Sequence, residues 1–153
     1  MAHHFHARIN WPRVAGATTA NADYSRDYRL SLDGKPELFG SGPTVFKGDA
    51  AGLNPEEMLV ASLAACHMLT YLALCAHKGV AVIGYEDHGE GKLERVGPGK
   101  MKFVEVTLKP TVRIAAGSDP KLAEELHHKA HEGCFVASSV NFPVNVEATV
   151  TVG

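Results

Sequence analysis

The chain has 153 residues, 45% of them hydrophobic and 21% charged, with a formal net charge of -2. That length suits one domain spanning 1–153. The near-neutral charge excludes the basic surface that nucleic-acid binding requires. Three cysteines without framework spacing argue against a secreted disulfide scaffold. No basic leader followed by an apolar run is visible, so a reducing, cytoplasmic setting is expected.

From His4 to Trp11, Phe5, Ala7, Ile9 and Trp11 alternate with polar residues, a period-two strand pattern. His3, His4 and His6 read as strand and surface residues. Residues 13–21 are small and polar, a loop. Residues 24–32 form a second strand with Tyr28, Leu30 and Leu32 on one face. Asp33-Gly34 marks a turn, and 37–39 a short return strand. Residues 40–53 carry four glycines and a proline, and are expected to be a mobile loop beside a site.

Residues 54–79, NPEEMLVASLAACHMLTYLALCAHKG, predict one long helix. Asn54 is placed as N-cap, Pro55 as first helical residue, and Glu56 and Glu57 complement the helix dipole. His77, Lys78 and Gly79 close it. Apolar residues cover every side, which predicts a buried helix. Residues 58–76 approach the length of a membrane span, but Ser62, His67 and Thr70 interrupt them. No Lys/Arg cluster or aromatic belt flanks them. A buried central helix is the reading, with no membrane partner.

Residues 80–85 read as a strand, continued in alternation over 86–95. Gly97-Pro98-Gly99 is a hairpin turn to a long strand over 101–114, where Pro110 signals an edge or bulge. Asp119-Pro120 starts a second helix with the narrower stripe Leu122, Ala123, Leu126 and Ala130, ended by Gly133. Residues 144–152 alternate as a last strand. The class is α+β with a mostly antiparallel sheet. One sheet covers only one face of an all-apolar helix, so a second copy of the chain is expected over the rest, giving a dimer with central long helices.

Cys66 lies within the long helix and Cys134 just past the end of the second. A reactive cysteine needs a thiolate, favoured by a nearby cation or helix N-terminus. Peroxide oxidises such a thiolate to a sulfenic acid, and a second thiol condenses with it. The competing reading of both, and the one taken for Cys75, is core packing. His67 points about 100° away from Cys66 on the helix, and reads as a satisfied core or interface histidine. His127, His131 and Cys134 have the spacing of metal ligands. A solvated, His-rich helix face outweighs that reading, and no metal or cofactor is expected.

The NPEE helix start, its continuation to Ala64-Ala65-Cys66, and the later KAHEGC before a Val-alternating strand resemble the OsmC/Ohr family of hydroperoxide reductases, on its OsmC-like branch. The resemblance covers most of the chain from Asn54 onward, and the N-terminal strands more weakly. It implies an α+β, OsmC-like fold and an intertwined homodimer with sites at the subunit interface. It implies a cysteine-based peroxidase acting on organic hydroperoxides and recycled by a dithiol of the lipoyl type. Cys66 would be the peroxidatic cysteine and Cys134 the resolving one. Glu56 would hold an arginine that stabilises the thiolate. Ten residues of helix separate Glu56 from Cys66, ~15 Å at helical rise, so the chain bends near Glu56 or Glu56 serves the other subunit.

The arginine departs from the family pattern. Val45 of Thr44-Val45-Phe46-Lys47 stands where the OsmC branch has it. Arg13 is the nearest candidate for the first-loop arginine of the Ohr branch, with Arg26 and Arg29 as alternatives, while Lys47 lacks the bidentate fork. Phe135 follows Cys134 where many relatives have proline. These departures motivate a second reading, a protein of this fold without peroxidase activity that binds an apolar small molecule at the dimer interface.

Overall fold

A computed structural model describes residues 1–11 and 24–153 and divides them into two units, Met1–Met58 and Leu59–Gly153. In the first, β1 (Arg8–Asn10), β2 (Tyr28–Ser31) and β3 (Leu38–Gly40) form an antiparallel sheet. The glycine-rich segment after β3, read as mobile, is closed on itself by hydrogen bonds. Leu53 N–H donates to Phe39 O at 3.1 Å and Ser41 N–H to Leu53 O at 3.0 Å. The fully buried Ser41 donates its hydroxyl to Asp27 Oδ1 at 2.8 Å and accepts Asp49 N–H at 2.9 Å. Gly48 packs so close to the Gly42 carbonyl that a β-carbon there would overlap it.

The long helix α1 (Pro55–Lys78) starts in the first unit and continues in the second. Its N-cap is the one the sequence predicts, with Asn54 Oδ1 accepting Glu57 N–H at 2.8 Å. The chain leaves it through Gly79, where Val80 N–H returns to Cys75 O at 2.9 Å. α2 (Pro120–Glu132) is capped by Asp119, whose Oδ1 accepts Lys121 N–H at 2.9 Å and Leu122 N–H at 3.3 Å.

The three long strands expected after α1 are each broken in two. The first becomes β4 (Val82–Asp87) and β5 (Glu90–Gly97). The second becomes β6 (Lys100–Leu108) and β7 (Pro110–Ile114), and the third β8 (Val144–Val146) and β9 (Thr149–Val152). One set of halves forms the sheet β4-β7-β9, the other β5-β6-β8. The breaks sit side by side. Lys109 N–H donates to Asp87 Oδ1 at 2.8 Å, and Glu147 N–H to Leu108 O at 2.8 Å. Pro110 opens β7, a position where its missing N–H costs no ladder bond. The expected hairpin is present, with Gly97 opposite Lys100. β6 with β8 and β7 with β9 pair in parallel, and the other pairs are antiparallel, so the α+β class holds.

Each sheet carries its own apolar core against α1. Leu63 packs with Val106, Leu108 and Val144 of β5-β6-β8. Tyr71 and Cys75 pack with Val112 and Ile114 of β4-β7-β9 and with Ala123, Leu126 and Ala130 of α2. The buried residues of α1 are Leu63, His67, Tyr71 and Cys75, one stripe at i, i+4 spacing. Leu59, Val60, Leu72 and Leu74 flank that stripe and are partly buried, while Leu69 is 63% exposed among the described residues. The expectation of a helix buried on every side is therefore met along one stripe only. By length and composition α1 could also cross a membrane.

His67 is the polar member of that stripe, 1% exposed. Its Nε2 shares a hydrogen bond with His127 Nδ1 of α2 at 3.0 Å. Tyr71 stacks on the His127 ring at 3.9 Å between centroids and donates its hydroxyl to Ala123 O at 3.1 Å. Burial, then the nearby His131, lowers the His67 pKa to about 4. Burial, then His67 and His128, lowers that of His127 to about 4. His127 is 4% exposed, which corrects the reading of α2's histidines as one solvated face.

The pH dependence of stability follows. Unfolded imidazoles protonate near 6.5, the folded pair only near 4. Between those values the unfolded chain binds more protons. Stability is thus fully present above about pH 6.5 and falls as pH drops toward 4, by up to roughly 1.4 kcal/mol per pH unit for each proton taken up. Urea unfolding midpoints should fall from about pH 7 to about pH 5, and the His67→Leu/His127→Phe variant should flatten that slope. A midpoint unchanged over this range would show that the pair takes up no protons on unfolding.

Candidate active site

Cys66 and Cys134, remote in sequence, meet in the second unit. Cys66 is half-buried near the middle of α1, and Cys134 is buried just beyond α2. The approach of the two segments depends on Gly133. A β-carbon there would stand 3.3 Å from both Lys129 O and Thr70 Cγ2. Thr70 lies one turn after Cys66 and donates its hydroxyl to Cys66 O at 2.9 Å. The chain after α2 then turns through a short 3-10 segment, Ala137–Ser139, stitched by Ser138 N–H to Cys134 O at 3.0 Å.

The two thiols are free and near enough for the Cys66 thiol to influence the ionisation of Cys134. Burial, then the neighbouring Cys66 thiol, pushes the Cys134 thiol up, opposed by backbone N–H groups of Ala137 and Val136. Ala137 N–H reaches Cys134 Sγ at 3.4 Å. Cys134 therefore holds its proton. Cys75 is fully buried beside Tyr71, and burial pushes its thiol up as well. Chemically, the arrangement is a dithiol poised to become a disulfide, with Cys66 the more accessible partner.

Glu56 belongs to the first unit. It lines a cavity of about 350 Å³ with Trp11, Tyr24, Arg26, Tyr28 and Pro43. Its Oε2 is buried and lacks a hydrogen-bond partner among the described residues. Burial, then the Glu56 charge, pushes the Tyr28 phenol up, and that phenol donates to Leu53 O at 2.9 Å. Arg26 lies over the Tyr24 ring, 4.1 Å from its centroid, and donates to Tyr24 O at 2.6 Å. Arg26 thus shares a cavity with Glu56. Arg13 lies outside the described residues. Arg29 is placed elsewhere, 3.8 Å from Glu37.

The metal-like spacing of His127, His131 and Cys134 does not become a ligand set. Cys134 turns to Cys66 and His127 to His67. Among the described residues, no three His, Cys, Asp or Glu side chains are placed to hold a metal ion. The His67–His127 pair was missed by sequence reasoning. The available signal was the apolar position of His67 on an all-apolar helix, since a buried imidazole requires a partner.

The family model described as OsmC-like protein matches residues 47–149. The uncharacterized protein YmaD of Bacillus subtilis (strain 168) is 26% identical over 156 residues, covering 99% of this chain and 97% of that protein. The structure of an OsmC-like protein of unknown function from Vibrio cholerae superposes with a TM-score of 0.89 at 32% identity, covering 97% of this chain and all of the other. That of an organic hydroperoxide resistance protein OsmC from Legionella pneumophila gives 0.70 at 22% identity, over 99% of this chain and 98% of the other, and speaks for the fold alone.

Alkylation should rank the three thiols. At mildly alkaline pH, iodoacetamide is expected to modify Cys66 about tenfold faster than Cys75 or Cys134, since burial hinders both and keeps them protonated. Peptide mass spectrometry over a time course reads the order. Equal rates at all three would mean that the native packing around the thiols is not as described.

Proposed function

The chain belongs to the OsmC-like protein family, and from that premise we propose that it is a thiol peroxidase that reduces organic hydroperoxides. The observation that carries the reading is the neighbouring pair of free thiols, Cys66 and Cys134. The Cys66 thiolate attacks the distal peroxide oxygen and breaks the O–O bond. It becomes a sulfenic acid, and the alkoxide leaves and takes a proton as the alcohol. The Cys134 thiol then attacks the sulfenic sulfur, forming the Cys66–Cys134 disulfide and releasing water. An external dithiol, of the lipoyl type by family resemblance, reduces the disulfide and leaves as its own disulfide. Cys134 suits the resolving role because burial and its neighbour keep it protonated until Cys66 has reacted.

Glu56 is proposed to orient an arginine whose charge favours the Cys66 thiolate. Arg26, which shares the cavity of Glu56, and Arg13 are the two candidates. The active form is proposed to be an intertwined homodimer in the cytoplasm. The support is the apolar surface of α1 beyond its one buried stripe, including Leu69, which a second copy would cover. The aromatic cavity holding Glu56 favours a second reading, binding of an apolar small molecule without turnover.

One equivalent of cumene hydroperoxide decides between them. Two thiols are expected to disappear within seconds, and mass spectrometry to map a Cys66–Cys134 disulfide. Cys66→Ser should lower turnover with a dithiol by about a thousandfold or more, while Cys134→Ser should stop at the sulfenic acid, trapped by dimedone. Glu56→Gln and the responsible arginine's alanine variant should slow thiol oxidation about tenfold or more. Survival of all the thiols would sink the peroxidase and leave the binding reading.

A further inference from the structure

Thr70 stands one turn after Cys66 on α1, and Gly133 one residue before Cys134. The two residues meet at one edge of a four-cornered contact whose other edge is the thiol pair. A turn of helix separates Thr70 from Cys66 by ~5.4 Å, and the Cα atoms of Gly133 and Cys134 are ~3.8 Å apart. A displacement at the first edge is therefore passed to the second.

Both corners of the first edge are held. Thr70 donates its hydroxyl to Cys66 O at 2.9 Å. A β-branched side chain has few χ1 wells, so this bond also settles where Cγ2 lies, and Cγ2 lies against Gly133. On the other side, Gly133 N–H donates to Lys129 O at 3.0 Å and Cys134 N–H to His131 O at 3.3 Å. Ser138 N–H holds Cys134 O from beyond, at 3.0 Å. α2 itself is pinned to α1 further back, by His127 on His67 and by the Tyr71 hydroxyl on Ala123 O.

Gly133 is not required by its backbone. Its φ of -87° and ψ of -2° are open to any residue. What it supplies is room. A β-carbon there would stand 3.3 Å from Thr70 Cγ2, closer than carbon atoms ordinarily pack. Its contact with Lys129 O is internal to the end of α2 and moves with it. To admit the extra carbon, Thr70 must turn and give up its bond to Cys66 O, or the two segments must part.

We propose that Thr70 is a positioning residue: its Cγ2, seated against Gly133, sets how closely Cys134 approaches Cys66. It thereby sets the rate at which the Cys134 thiol condenses with a Cys66 sulfenic acid to give the disulfide and water. That role in the resolving step rests on the peroxidase reading; the spacing itself does not.

The spacing is read without peroxide, by equilibrating the full-length protein with mixtures of reduced and oxidised dithiothreitol. As the Cys66–Cys134 disulfide forms, the oxidised reagent takes up two electrons and two protons and becomes the dithiol. Acid quenching, alkylation and peptide mass spectrometry give the disulfide fraction. Gly133→Ala is expected to lower the equilibrium constant about tenfold or more. Adding Thr70→Ser, which removes the methyl and keeps the hydroxyl, should bring it back to within about threefold of wild type, a coupling that two unrelated losses of packing do not give. With cumene hydroperoxide, Gly133→Ala should leave the first oxidation of Cys66 unchanged and lengthen the life of its sulfenic acid, read with dimedone, about tenfold. A Cys66 that no peroxide oxidises would sink the peroxidase reading and the resolving role with it, while the dithiothreitol equilibrium would still report the spacing. If Gly133→Ala alone fails to fold, Gly133→Ala/Thr70→Ser is expected to fold with a constant near that of wild type. The proposal is overturned by an unchanged constant in folded Gly133→Ala, or by a double variant that is unfolded or as impaired as the single one.

Discussion

The hydrogen bond between His67 and His127 sets the phase of the two helices that matter. α1 buries a single stripe, and an imidazole stands in the middle of it. A buried imidazole must be neutral and must be paired. The pairing group comes from α2, and Tyr71, one turn along the stripe, grips both the ring and the backbone of that helix. With α2 held at His127 and Ala123, its last turn falls at Thr70. The glycine at 133 admits the close approach, and the next residue delivers its sulfur to Cys66. The approach of the two thiols thus rests on a polar contact one turn away.

Helix ends were legible in the sequence because their chemistry is local. Asn54, Asp119, Gly79 and Gly133 act within four residues of where they stand, and their roles can be read from order alone. Strand ends were not. Alternation runs on through 80–95, 101–114 and 144–152, whereas the folded chain interrupts each run at a single place. Those interruptions are fixed by one another, Lys109 to Asp87 and Glu147 to Leu108, which are contacts between segments that order does not reveal. Pro110 was the one local sign.

The candidate site was legible to different depths. Spacing left Cys66 and Cys134 open between core packing and chemistry, and only the resemblance paired them. His127 was misplaced because a helix face holding His127, His128 and His131 has the composition of a wet surface, and the residue that buries one of them is sixty positions away. By its place at the start of α1, Glu56 complements the helix dipole, and the arginine-holding role comes from the resemblance alone. Its buried oxygen shows the extra constraint that a first-turn carboxylate in water does not bear.

The strands that cross from one sheet to the other have a consequence for how the second unit assembles. The two sheets under α1 are built from the same three chain segments, so neither sheet owns a strand that the other could lose alone. Fraying one sheet withdraws the anchors of its neighbour at the aligned breaks. Both parallel pairings, β6 with β8 and β7 with β9, join residues separated by the whole of α2. Closure of that long loop must precede any reward from either pairing, which places the unit among slower folders of high contact order. The two sheets and α1 then form one cooperative unit of opening, in which amides on both sheets exchange through the same rare event.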